Sequence, residues 1–271
     1  MKRLRFLHIQ KTAGLTLNQI LLRQYRGKKV FQVNGPGPVA IQQYMELSEQ
    51  EKQKIFLILG HLPLTTGVED FDNATIITLL RNPISRVRSL CQHVSEGKSK
   101  YLLKDFPPES FDLDRFLDSG DHQLYNHQTK ILINPVSTVS NDLINSMSRT
   151  AARDLALDKL FNVVARFGIQ EQFDESLILF SQFLNWSMPF YVSVNISDSR
   201  RRIEFKQRHL DRIAELNSID LEVYNAAKKK FQELIANSDY DMAGLKRFKA
   251  LKPWGSRLLK MRAGIRTLIR R

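Results

Sequence analysis

Residues 4–9 form a mostly apolar run that breaks at Gln10 into Lys11-Thr-Ala-Gly-Leu-Thr16 and resumes with helical spacing at Leu17, Ile20 and Leu21. An apolar run, a turn of small residues and hydroxyls, then a 3.6-residue period predicts strand, tight turn and helix. The pattern recurs. Strands are predicted at 4–9, 29–33, 55–59, 75–80, 162–167 and 191–195, and helices at 17–25, 83–96, 113–119, 150–157, 171–184 and 219–235. Short aliphatic strands alternating with helices predict an α/β fold, a three-layer parallel sheet flanked by helices. In such sheets ligands bind beyond the carboxyl ends of the strands. The chemistry is therefore expected in the loops after Ile9, Leu59, Leu80 and Asn195. Residues 97–145, rich in Ser, Asn and Pro, break the pattern and read as an insertion or lid with little regular structure. The main domain is expected at 1–241, with a separate basic tail at 242–271.

Composition narrows the class. Hydrophobic residues make up 42% of the 271 and charged residues 25%, as in ordinary globular proteins. No apolar stretch nears the roughly 18 residues of a membrane span, and the opening run is too short for a signal peptide. The lone cysteine, Cys91, excludes an internal disulfide and agrees with a reducing compartment. The net charge of +13 is concentrated in 242–271, which holds ten Lys/Arg and no acid. The body is nearly balanced, so no nucleic-acid partner is expected.

Three segments carry candidate chemistry. In 11–16, Ala13 and Gly14 allow close backbone approach, Thr12 and Thr16 offer hydroxyls, and Lys11 adds charge at a helix N-terminus. These are the parts of a phosphate cradle, although a plain strand–helix turn with a surface lysine has the same composition. The order is not that of G-x-x-x-x-G-K-[ST]. In 78–89, Arg81 stands at a strand tip, Asn82 is a good N-cap, Pro83 suits the first helical position, and Ser85 and Ser89 share a face. Ile84, Val87, Cys91 and Val94 form the core stripe, and Arg86 and Arg88 read as solvated. Arg81 at a buried strand end needs a partner. Both sites are cationic, and only Asp70 and Asp72 lie near as carboxylates, so no metal is expected. In 57–63, His61 follows a strand and a glycine at the ligand edge and is a candidate base, with His8 as its competitor. His93, His122, His127 and His209 lack such a setting.

In this order and spacing, Phe6–Thr16, Gly60-His61 and Arg81-Asn82-Pro83…Arg86…Ser89 resemble carbohydrate sulfotransferases of the heparan sulfate 2-O-sulfotransferase type and their bacterial relatives. The similarity continues through Asn126-His-Gln-Thr-Lys130, Phe167-Gly-Ile-Gln-Glu171…Ser176-Leu177 and Asn217-Ser-Ile-Asp220…Tyr224. It departs at Gln10, where proline is usual, and at Leu15, where threonine is common. The resemblance implies a nucleotide-kinase-like, P-loop-like fold. It also implies metal-free transfer of a sulfuryl group from 3′-phosphoadenosine-5′-phosphosulfate (PAPS) to a hydroxyl, expected to belong to a saccharide.

By the same resemblance Lys11, Thr12, Ala13, Gly14, Leu15 and Thr16 hold the 5′-phosphosulfate. Arg81 and Ser89 hold the 3′-phosphate, away from the reacting centre, and His61 supplies the base. The loop 197–202, with Arg202, closes over the nucleotide. The 97–145 segment is assigned to the acceptor. The alternatives are a magnesium-dependent nucleotide kinase and a non-catalytic nucleotide-binding protein of the same fold. Without a Golgi-type anchor in this sequence, the expected place is the cytoplasm, with possible peripheral contact at the inner membrane face through 245–271. That tail also suits an anionic polysaccharide, or packing on the body or a second subunit.

Overall fold

The computed structural model describes residues 3–136, 142–192 and 202–269, apart from the side chains of 142 and 262–269. Five strands, β1 (Leu4–Leu7), β2 (Lys29–Gln32), β3 (Ile55–Gly60), β4 (Thr75–Leu80) and β5 (Arg166–Ile169), form one parallel sheet in the order β2-β3-β1-β4-β5. Leu4 pairs with Leu57 on one side and Thr75 on the other, so β1 is central. The helices are α1 (Gly14–Gln24), α2 (Gly37–Met45), α3 (Glu49–Lys54), α4 (Glu69–Asp72), α5 (Pro83–Ser95), α6 (Leu113–Leu117) and α7 (His127–Ile133). They continue with α8 (Asp142–Asn145), α9 (Arg149–Asp158), α10 (Phe173–Leu184), α11 (Gln207–Leu216), α12 (Ser218–Ala236) and α13 (Met242–Ile269). Helices flank the sheet, which gives the expected P-loop-like α/β architecture with the β1–α1 turn at the centre of its carboxyl edge.

The core follows the apolar pattern. Leu4, Phe6, Leu57, Leu59, Ile77 and Leu79 are buried with Leu17, Ile20 and Leu21 of α1. Val87, Leu90, Cys91 and Val94 of α5 form a second cluster with Phe106, Phe116 and Ile213. Arg5, the polar residue inside β1, is also buried. Its guanidinium donates to Leu64 O at 2.9 Å and to Pro63 O, with Asp72 at 3.4 Å. Burial lowers its pKa to about 10.

Several expectations need correction. Strand β5 starts at Arg166 instead of 162, because α9 runs into a π-helical turn, Lys159–Val163. Val164 N–H closes that turn on Lys159 O at 3.1 Å. Tyr191 and Val192 are not in a strand, and 193–195 lie outside the described residues. The described part of 97–145 is more ordered than its composition suggests: it contains α6, α7 and α8, while 137–141 lie outside the described residues. In α7, His127, Gln128, Thr129 and Lys130 are all buried. Helices α2 and α11 were not legible either. Among the described residues no helix is long and apolar enough to cross a membrane.

Candidate active site

The β1–α1 turn has an unusual backbone. Lys11 (φ 68°) and Ala13 (φ 66°) are both left-handed, a conformation that costs a non-glycine residue about 1–2 kcal/mol. Left-handed residues alternating along a turn make a concave wall of N–H groups, a shape suited to anions. Ala13 is the N-cap of α1 and makes no side-chain cap. Gly14 and Leu15 open the helix, so their N–H groups have no intrahelical acceptor. Thr16 N–H is already bound to Ala13 O at 3.1 Å. Thr12 does not offer its hydroxyl outward: the side chain is buried and donates to Ile9 O at 2.8 Å. Thr16 is buried too, and Leu15 is exposed.

Arg81 meets this turn directly. Its Nη1 donates to Lys11 O at 2.9 Å, so the two anion sites read in the sequence share a wall. Gln128 grips the Arg81 peptide from both sides: Arg81 N–H donates to Oε1 at 2.9 Å, and Nε2 donates to Arg81 O at 2.8 Å. Arg81 Nε is buried and finds no acceptor among the described residues. Asn82 caps α5 by accepting from Ser85 N–H at 3.1 Å. Ser89 stands half-buried on α5.

Arg86 corrects the sequence reading, for it is fully buried instead of solvated. It donates to Gln123 O, while Nε and Nη1 find no partner among the described residues. Burial lowers its pKa to about 10 against the pull of Asp220. Lys11 is lowered to about 8, first by burial and then by Arg81 and Lys98. Each of these cations also feels a carboxylate, Glu96 for Lys11, Glu171 for Arg81 and Asp220 for Arg86. Asp70 is bound to Arg3 and Tyr44, and Asp72 accepts from Thr66 N–H and Gly67 N–H, both at 2.9 Å. Both carboxylates are thus engaged in the α4 region.

The two histidines expected as rivals differ in setting. Gly60 (φ 140°) brings the chain past Val33, where a β-carbon would overlap, and delivers His61 to the surface. His61 Nδ1 lies 2.8 Å from His8 O. A carbonyl only accepts, so Nδ1 carries the proton and Nε2 keeps its lone pair. Protein packed around part of the exposed ring removes water from it and lowers the His61 pKa, and the bond to His8 O opposes the shift. His8 is only 5% exposed, under the start of α1, where a β-carbon on Gly14 would run into its ring. Its ring lies 4.1 Å from that of His61. Burial first, then His61 and Lys11, pushes its pKa well down.

Other residues at the site gave little sequence signal. His127, buried on α7, donates from Nε2 to Gln10 Oε1 at 2.6 Å and so ties α7 to the turn. His93 on α5 feels Lys11 and Lys98, and burial with those charges lowers it to about 4. Asp220 lies under α7, accepting from Gln128 N–H at 3.0 Å, Thr129 N–H at 2.7 Å and the Thr129 hydroxyl at 2.6 Å. Glu171 accepts from Asn82 N–H at 2.9 Å and the Tyr224 hydroxyl at 3.0 Å. Arg202 is exposed, and the rest of its loop, 197–201, lies outside the described residues.

No protein-family model matches the chain. It is similar to human heparan-sulfate 6-O-sulfotransferase 3, 25% identical over an alignment covering 84% of this chain and 57% of that protein. The chain thus spans little more than half the length of this relative. The similarity supports the carbohydrate sulfotransferase resemblance but corrects its finer part, since this relative is a 6-O enzyme and not a 2-O one.

Proposed function

We propose that the protein is a sulfotransferase that moves a sulfuryl group from PAPS to a carbohydrate hydroxyl. The observation that carries the proposal is one arrangement: Arg81 bound to the backbone of Lys11, and His8 joining that turn to the exposed His61 imidazole, whose Nε2 is unprotonated. The residues fit such a donor. The left-handed turn and the N–H groups of Gly14 and Leu15 suit a phosphosulfate, and the unsatisfied Arg81 Nε is a ready donor for a second anionic group. Ser89, half-buried on α5, is assigned with Arg81 to the 3′-phosphate by the family resemblance.

The bound donor supplies an activated sulfuryl group. His61 Nε2 takes the proton from the acceptor hydroxyl as its oxygen attacks sulfur. Its lowered pKa keeps it neutral and competent near pH 7. Lys11, still charged at that pH, offsets the negative charge that grows on the departing phosphate oxygen. Arg81, anchored through its peptide by Gln128, holds the nucleotide in register. His8 acts through its carbonyl, fixing the His61 tautomer. The 97–145 segment, whose Lys98 is paired with Glu96, is assigned to the saccharide acceptor. The relative's name makes the 6-hydroxyl of a heparan-type saccharide the first acceptor to test.

The test is transfer of radiolabelled sulfate from PAPS to desulfated heparan saccharides, with His61→Ala as comparison. Transfer should fall by about 10²–10⁴-fold in the variant, the usual contribution of a general base. Binding of adenosine 3′,5′-bisphosphate should be retained. Unaltered transfer by His61→Ala, or none by the parent protein to any saccharide, would refute the assignment.

A further inference from the structure

The two sides of α13 differ. One side is docked on the body. Phe248 is buried and stacks on Phe190, with ring centroids 5.6 Å apart. Lys252 Nζ donates to both Asp174 carboxylate oxygens at 2.8 Å and to the Tyr191 hydroxyl at 2.7 Å. Gly255 lies against the Phe190 ring, where a β-carbon would overlap. The other side faces water and is apolar. Trp254, Leu258 and Met261, spaced i, i+4, i+7, are 67%, 59% and 58% exposed, with Leu251 beside them at 39%. The sequence continues that spacing at Ile265, Leu268 and Ile269.

The charges around this stripe all have one sign. Residues 242–271 carry ten Lys/Arg and no acid. Of the acids that meet the helix, Asp241 accepts from Gly244 N–H at its first turn, and Asp174 and Glu175 are on its docked side, engaged by Lys252 and Lys249. Arg257 and Lys260 stand exposed next to the apolar residues. A helix with an outward apolar stripe edged by cations is the form that lies in the headgroup layer of a bilayer.

We propose that α13 is a surface anchor for anionic lipid bilayers. It lays Trp254, Leu258 and Met261 into the interfacial layer and sets Arg257 and Lys260 among the headgroups. The charge pattern selects this occupant over two others. An anionic polysaccharide would answer the cations and leave three large apolar side chains in water. A second copy of the chain would bring another set of ten cations against the first. The inference is independent of the reaction the protein catalyses.

The experiment is co-sedimentation of the whole chain with phosphatidylcholine vesicles, with and without about 30 mol % phosphatidylserine. Binding should require the anionic lipid and weaken as salt rises. It should fall at least tenfold in a Trp254→Ser, Leu258→Ser, Met261→Ser variant whose melting temperature is unchanged. Tryptophan emission should shift to the blue on binding, and the shift should vanish in Trp254→Phe. Failure to bind at low salt, or equal binding by the triple variant, overturns the proposal. So does retention of heparin oligosaccharides by the triple variant while vesicles are ignored. A concentration-dependent dimer that the triple variant loses, without vesicle binding, overturns it as well.

Discussion

Lys11 gives the sharpest test of the proposed chemistry, because the proposal needs its charge and its environment weakens it. Burial and the neighbouring cations lower it to about 8. With that value about nine in ten molecules carry the charge at pH 7, and about one in ten at pH 9. If Lys11 must be charged to take the donor, kcat/KM falls about tenfold across that interval, because kcat/KM reports the free enzyme. The kcat limb moves to higher pH, since a bound anion favours the charged lysine. The acid limb is less diagnostic. His61 lies below its ordinary value and must be neutral, so rates fall as pH drops through its pKa. The 3′-phosphate of the donor takes up a proton near pH ~6 and acts in the same direction. The discriminating variant is Lys11→Arg. A guanidinium starts about two pH units above an ammonium, so the basic limb should be absent up to pH 9 even if the absolute rate drops. Initial rates at limiting and saturating donor, from pH 6 to 10 at constant ionic strength, decide the matter. A flat kcat/KM through pH 9, or a basic limb below pH 9 that survives Lys11→Arg, would refute the role given to this lysine.

Three other outcomes follow from the same geometry. Gly14→Ala puts a β-carbon into the His8 ring, so unfolding by denaturant should show a loss of about 1–3 kcal/mol. Turnover should drop as well, because His8 is displaced toward the neighbouring His61 ring. Asp220→Ala leaves two buried N–H groups and the Thr129 hydroxyl unpaired, at roughly 1–3 kcal/mol each, and should lower stability by about 3 kcal/mol or more. The denaturation midpoint of Asp220→Asn should fall between those of the parent and the alanine variant. Arg81→Ala removes one charge-assisted contact, so calorimetry should show adenosine 3′,5′-bisphosphate binding about 10–100-fold weaker. Unchanged affinity would separate Arg81 from the nucleotide.

The legible features were those written locally. Strand β4 and the start of α5 matched their prediction because β-branched residues, Asn82 and Pro83 state their roles within a few positions. Helix α7 was hidden because its first turn is polar yet buried, its donors answered by Asp220 some ninety residues away. Periodicity cannot register burial that hydrogen bonds make possible. Arg86 was misread for the same reason: an arginine one turn into an amphipathic helix looks solvated unless Gln123 is known to lie over it. At the site, the types and order of Lys11, His61 and Arg81 were visible. Which of two histidines reaches solvent was not, because that depends on Gly14 admitting the His8 ring beneath α1.

The hidden part is what gives the visible part its geometry. Helix α7 has seven residues, too few to be stable alone. It is pinned reciprocally to α12: Asn126 Oδ1 accepts from Ile219 and Asp220 N–H, both at 3.0 Å, and Asn217 Oδ1 accepts from Asn126 N–H at 3.1 Å. Once fixed, α7 presents Gln128 to the Arg81 peptide and His127 to Gln10. Arg81 in turn holds Lys11 O. A continuous chain of hydrogen bonds thus runs from α12 to the β1–α1 turn, and it helps that turn keep two left-handed non-glycine residues. The Asn126–Lys130 and Asn217–Asp220 motifs act as scaffold: they need not touch a substrate to decide whether Lys11 and Arg81 converge on one.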